Sequence, residues 1–175
     1  MLSPTRLLTV SGLTLLLTVT DLTGVATATA TGNTPACRTR DLVASINTKG
    51  GGTAGSLYVR LVLRNVSGRV CHTGGFPGVS YVGDGNGTQI GAPADWVHRA
   101  QLRTLVVRPG GRLVATLREV DALNYPARVC RPRTTDGLRV YPPNQTTSTF
   151  VAQRTTGCRN KAVHLLTVTP LRRTR

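Results

Sequence analysis

The groups in this 175-residue chain that could do chemistry are three histidines, four cysteines, seven acidic residues and a large excess of arginine. His72, His98 and His164 stand in three separate segments. A hydrolase would need one of them beside a hydroxyl or thiol and an acid, an arrangement recognised by geometry rather than by sequence position. No G-x-S-x-G elbow, H-E-x-x-H pair or closely spaced pair of carboxylates occurs. His72 adjoins Cys71, the nearest approach to a reactive pair, yet neighbours on a strand point to opposite faces. No catalytic residue is expected, and no enzyme.

Metal and cofactor sites fail on spacing. Cys37, Cys71, Cys130 and Cys158 include no C-x-x-C pair, the short spacing on which zinc sites normally rely. Asp84, Asn86 and Asp95 match the first, third and twelfth places of a calcium loop. Gln89, however, stands where that loop needs glycine, and both flanks read as strands. The glycine-rich run 49–56 lacks the Gly-Lys-Ser/Thr ending and the helix of a phosphate-binding loop. No metal and no cofactor is expected.

Charge is the strongest functional hint. Lysine and arginine number 22 against 7 acids, a formal net charge of +15. Arg60 and Arg64, like Arg112 and Arg118, fall on alternate positions of strand-like runs and should form basic stripes facing solvent. Guanidinium groups make bidentate bonds to phosphate and carboxylate. The leading expectation is therefore a non-enzymatic module that binds an anionic cell-envelope polymer through these four arginines. The alternative is that arginine only keeps the chain in solution. A second reading, of another class, is recognition of an envelope protein by loops at one end of the fold. Those loops are 74–78, 91–98 and 121–126, with Phe76, Pro77, Trp96, His98 and Tyr125 as the candidates. Specific nucleic-acid binding fits the charge but lacks interleaved aromatics. A monomer is expected.

The elements that must position these groups are strands. Leu57, Val59, Leu61 and Leu63 alternate with Tyr58, Arg60, Val62 and Arg64, the period of a strand with one buried face. Turn formers 65–68 end that run, a short piece carries Cys71, and Phe76-Pro77-Gly78 makes a tight turn before a strand over 79–82. Further strands are expected over 42–46, 102–107, 112–120, 138–141, 146–153 and 163–169, with a hairpin at Asp84-Gly85-Asn86-Gly87. Leu113, Ala115 and Leu117 should face inward. Residues 121–133 read as irregular, since Pro126 and Pro132 cannot donate to a ladder. Trp96, the only tryptophan, reads as a packing residue, with exposure on a loop as the ligand-platform alternative. The sequons at Asn65, Asn86 and Asn144 read as turn asparagines.

The N-terminus carries Arg6, an apolar run over 7–20 and the small-residue string 26–30. That order reads as a secretory signal peptide, residues 1–30, removed by cleavage after Ala30 or Ala28. Threonines and Asp21 dilute the run below what a membrane anchor needs. A linker, 31–36, a domain, 37–170, and a fraying basic tail, 171–175, should follow. The exported part keeps all four cysteines, and an even count outside the cytosol points to two disulfides with three pairings open. Secretion, or residence in the cell envelope, is the expected localisation.

The run Arg64-Asn65-Val66-Ser67-Gly68, then Val70-Cys71, then Gly75-Phe76-Pro77-Gly78-Val79, resembles the secreted bacterial domain of unknown function 4232. The resemblance extends from Cys37 to about Pro170. It implies an all-β, immunoglobulin-like antiparallel sandwich exported from GC-rich, actinobacterial-type organisms. It also favours the pairs Cys37–Cys71 and Cys130–Cys158. It brings no reaction and no ligand.

Overall fold

The structure is a computed structural model that describes residues 33–48, 51–98 and 101–174. The expected signal peptide, its cleavage points and the first two linker residues lie outside the described residues. By its internal contacts the chain divides into Met1–Gly32 and Asn33–Arg175, and every described element belongs to the second unit. No helix among the described residues is long and apolar enough to cross a membrane.

Thirteen strands are described. In chain order they are β1 (Leu42–Asn47), β2 (Gly52–Thr53), β3 (Ser56–Asn65), β4 (Cys71–Thr73), β5 (Gly78–Gly83), β6 (Thr88–Ile90) and β7 (Asp95–Trp96). There follow β8 (Leu105–Val107), β9 (Arg112–Val120), a one-turn helix α1 (Ala127–Cys130), β10 (Pro132–Tyr141), β11 (Thr149–Cys158), β12 (Leu166–Val168) and β13 (Arg172–Arg173). One sheet runs β1-β3-β9-β12-β7, with β13 also on β9 and β2 on β3; the other runs β11-β10-β5-β6, and β4 pairs with β8.

Both large sheets face one core. Alternation on β3 and β9 sends Val59, Leu61, Leu63, Leu113, Ala115 and Leu117 into it. From the second sheet come Val79, Tyr81, Ile90, Leu138, Val140 and Val151. With few aromatics available, the leucines and valines supply most of the burial, at about 1.5–3 kcal/mol per side chain. Leu57, at 37% exposed, is the one member of the expected inward series that lies outside the core, at the start of its strand.

The disulfides are Cys37–Cys71 and Cys130–Cys158, with Cα atoms 4.9 and 4.6 Å apart. The first holds the N-terminal segment on β4, where the Cys37 N–H also donates to the His72 carbonyl. The second joins the end of α1 to the end of β11.

Several sequence expectations need correction. The segment 121–133 is ordered by a 3-10 turn (Ala122–Asn124) and by α1. Pro132 opens β10, a first-strand position where its missing N–H is tolerated. The pair β10/β11 is longer than expected because a bulge between Thr135 and Gly137 lets both strands continue. The expected strand 102–107 shortens to β8, and 163–169 shortens to β12. The sheets are not purely antiparallel, since β7 runs parallel to β12. The tail does not fray at its start: Leu171 is buried, and Arg172 and Arg173 pair with Val114 and Leu113. The loop 84–87 has four residues, with Asp84, Gly85 and Gly87 at positive φ.

Asp41 anchors the entry to β1. Its carboxylate is buried, accepts the Arg38 backbone N–H at 2.8 Å and pairs with the Arg69 guanidinium. Burial pushes its pKa up, but the Arg38 N–H, Arg69 and Arg40 together hold it below the ordinary 3.8. The folded state therefore binds this proton more weakly than the unfolded chain. The resulting stability is full above the ordinary carboxylate value and disappears as pH falls through the depressed one. In urea unfolding, Asp41→Asn should cost about 1–3 kcal/mol at neutral pH. The gap from the wild type should close in acid; a gap that persists unchanged at low pH would refute the ion-pair account.

Candidate functional site

The antiparallel register of β3 and β9 sets Arg64 opposite Arg112, Val62 opposite Val114, Arg60 opposite Thr116 and Tyr58 opposite Arg118. These residues alternate with the core set and so occupy the other face of the sheet. Arg172 on β13 pairs with Val114 and joins the same face. Arg60, Val114, Arg172, Arg173 and Thr174 line a groove of about 740 Å³. A second groove of about 510 Å³ takes in Arg108, Arg112 and Arg173. Of the six acids after residue 30, only Asp95 shares this face of the sheet, on the edge strand β7. Asp41, Asp84 and Asp95 pair with Arg69, Arg133 and His164; Asp121 caps a turn, Asp136 accepts the Gly85 N–H and Glu119 is buried. Like charges directly opposite across a ladder destabilise it. Arg64 facing Arg112, with no acid on that face of β3, β9 and β13, is thus a cost the fold carries.

Arg118 departs from the expectation of a solvent-facing arginine. It is half-buried, donates to the Ser56 hydroxyl at 2.9 Å and has a buried Nε–H without a partner. Arg60, Arg64 and Arg112 are exposed as expected. Arg108, Arg172 and Arg173 were missed as members of the array. A sign of the last two was available in Leu171, an apolar anchor followed by long polar residues.

The loop candidates divide. Phe76 stacks on Trp96 with ring centroids 5.1 Å apart and planes 6° from parallel. His98 lies 5.0 Å from Phe76 and 6.2 Å from Trp96. Phe76 and Pro77 are buried, but Trp96 is 53% exposed, which overturns its reading as a packing residue. The two-residue β7 places it at a sheet edge, where β12 is its only ladder neighbour among the described residues. Beside it lies a cleft of about 470 Å³, with Arg103, Tyr141 and Asn144 among its walls. A Cβ on Gly74 would run into the Arg103 carbonyl, so only glycine lets these loops close on one another. Tyr125 is not part of this corner; it packs against the core next to the 3-10 turn.

His164 Nδ1 sits 2.9 Å from both Asp95 carboxylate oxygens, on the surface. His72 Nδ1 lies 2.6 Å from the Thr34 carbonyl. Among the described residues no hydroxyl or thiol is hydrogen-bonded to a histidine ring, and no group of three metal-ligating side chains occurs. Asn86 and Asn65 each fold back on their own turns, Asn86 accepting from the Thr88 N–H and hydroxyl at 3.0 and 2.7 Å.

Glu119 is a site residue that the sequence reading passed over, although the alternation that sends Leu113, Ala115 and Leu117 inward sends it inward too. Its carboxylate accepts the Tyr81 hydroxyl at 2.6 Å and the Gln153 amide at 2.8 Å. Burial first, and the neighbouring Glu119 second, push the Tyr81 pKa far up, so the phenol stays a donor.

A family model described as a domain of unknown function (DUF4232) matches residues 37–172. No curated protein and no solved structure matches the chain.

Proposed function

We propose, for a chain that belongs to the DUF4232 family, that it is an exported, non-enzymatic binding domain on an immunoglobulin-like sandwich. Its arginine face engages an anionic polymer of the cell envelope. Arg60, Arg64, Arg112 and Arg172 are the principal contacts, with Arg108 and Arg173 at the grooves. The observation that carries this reading is the direct pairing of Arg64 with Arg112 on a face where β3, β9 and β13 present no acid, the Asp95 carboxylate on β7 being paired with His164. A face of that kind gains when phosphate or carboxylate groups settle between the guanidinium groups. The two disulfides and the family are consistent with export.

The test is retention on an immobilised polyphosphate and on heparin as salt rises. Changing Arg60, Arg64, Arg112 and Arg172 to Gln should weaken binding at 0.1 M salt by about tenfold or more and flatten its salt dependence. Changing Arg128, Arg131, Arg154 and Arg159 removes the same charge from elsewhere and should do much less. Equal losses from the two sets would overturn the defined face and leave only net charge. The exposed Trp96 on its Phe76 base favours a second reading, a protein-recognition corner; binding that survives high salt and depends on Trp96 instead of the arginines would select it.

A further inference from the structure

Two acids among the described residues are buried, Asp41 and Glu119, and they are treated differently. Asp41 has the Arg69 guanidinium. Glu119 is 6% exposed and has no cation among the described residues, although basic residues outnumber acids three to one. Both of its oxygens accept hydrogen bonds, one from Tyr81 and one from Gln153, which is the behaviour of a carboxylate. A buried carboxylate without a counter-charge is unfavourable, because it has lost its hydration with no opposite charge in return. The second anomaly is next to the first: the Gln153 Oε1 atom is buried and accepts from nothing. Turning that amide over would set its oxygen against the carboxylate, so the orphan acceptor cannot be removed that way.

Glu119 and Gln153 both line one cavity of about 570 Å³, set between the start of β3, the end of β9 and the middle of β11. Asp121 adds a third acceptor at its wall, and Arg154 and Thr155 stand there too. The cavity lining holds two carboxylates, Glu119 and Asp121, and the Tyr81 hydroxyl and the Gln153 amide already donate to Glu119. A donor-rich cation is the complement of that lining.

We propose that this cavity binds a primary ammonium group, with Glu119 as counter-charge and Gln153 Oε1 taking one of its N–H bonds. An ammonium carries three donors and one charge, enough to answer both anomalies. The aliphatic amine of a lysine-like chain and the amine of an amino sugar share this chemistry. The site is independent of the arginine face and would stand if that face bound nothing.

The test is an NMR titration of the ¹⁵N-labelled domain at constant ionic strength, read at the backbone amides of residues 119, 120 and 153, which every variant keeps. The probes are butylammonium chloride and glucosamine hydrochloride, with butanol and sodium butyrate as uncharged and reversed-charge controls. Saturable shifts with a Kd of about 1–10 mM are expected for an ammonium of this size. Saturation by either amine supports the site, and the tighter one identifies the source of the amine. Glu119→Gln should raise that Kd at least about tenfold. Gln153→Met, which keeps the carboxylate, should raise it severalfold and serves if the first variant does not fold. Shifts matched by sodium butyrate, or unchanged in Glu119→Gln and in Gln153→Met, would overturn the proposal, as would no saturation by either amine.

Discussion

Removal of both disulfides should leave the domain unfolded at 37 °C. The bridges join residues 34 and 28 positions apart. Each closes a loop that stabilises the fold by about 3.5–4 kcal/mol in the chain-entropy picture. Together they approach the whole stability of an ordinary domain, about 5–15 kcal/mol. All four cysteines are buried, so the thiols left behind gain little from water. Urea unfolding of Cys37→Ala/Cys71→Ala and of Cys130→Ala/Cys158→Ala should each show a loss of about 3–4 kcal/mol, and the quadruple variant a flat curve. A quadruple variant with a cooperative transition near the wild-type midpoint would refute the claim that these staples hold the fold.

Asn65→Leu should cost about 3–5 kcal/mol, more than most substitutions anywhere in a domain. The side chain is fully buried and uses all its hydrogen-bonding capacity. Its amide donates to the Arg69 carbonyl at 2.9 Å and to the Val107 carbonyl at 3.1 Å. Its oxygen accepts the Ser67 N–H at 2.9 Å and the Ser67 hydroxyl at 2.7 Å. Its backbone pairs with Gly111 and Gly110 across the next hairpin. One residue thus ties the end of β3 to the following turn and to the loop between β8 and β9. Leucine fills the space but takes the buried donor from the Val107 carbonyl and the acceptor from the Ser67 N–H. Asn65→Asp keeps the acceptors and turns a negative charge on those carbonyls, so it should be no milder. Asn86→Ala is the control, because Asn86 makes the same turn bonds in an exposed loop. That change should cost no more than about 1 kcal/mol. Equal effects at the two asparagines would mean that burial is not what makes Asn65 important.

Much of the architecture is legible from spacing. Period-two patterning places β1, β3, β5 and β9 within a residue of where they lie, because one face of each meets the core and a slip would invert every side chain. Polar alternation also finds the exposed arginines on β3 and β9. An even cysteine count implies two bridges, and the family motif carries their pairing. Long-range relations are where sequence reasoning stops. Trp96 has the composition of a core residue and stands half in solvent, since a short edge strand covers only one side of it. Nothing in the local pattern says that β7 will run beside β12 in parallel, with His164 and its partner Asp95 69 positions apart.

By itself the sequence determined the all-β class, the inward sets of β3 and β9, and an arginine excess with few acids to oppose it. These follow from local periodicity and composition, which need no knowledge of neighbours. Only the tertiary structure decided that the final residues add β13 and carry Arg172 to the basic face, that Trp96 stands half-exposed on Phe76, and that Glu119 is buried without a paired cation among the described residues. Each of these depends on which distant segment comes to lie alongside, and pairing across a sheet is chosen by the packing of the whole core.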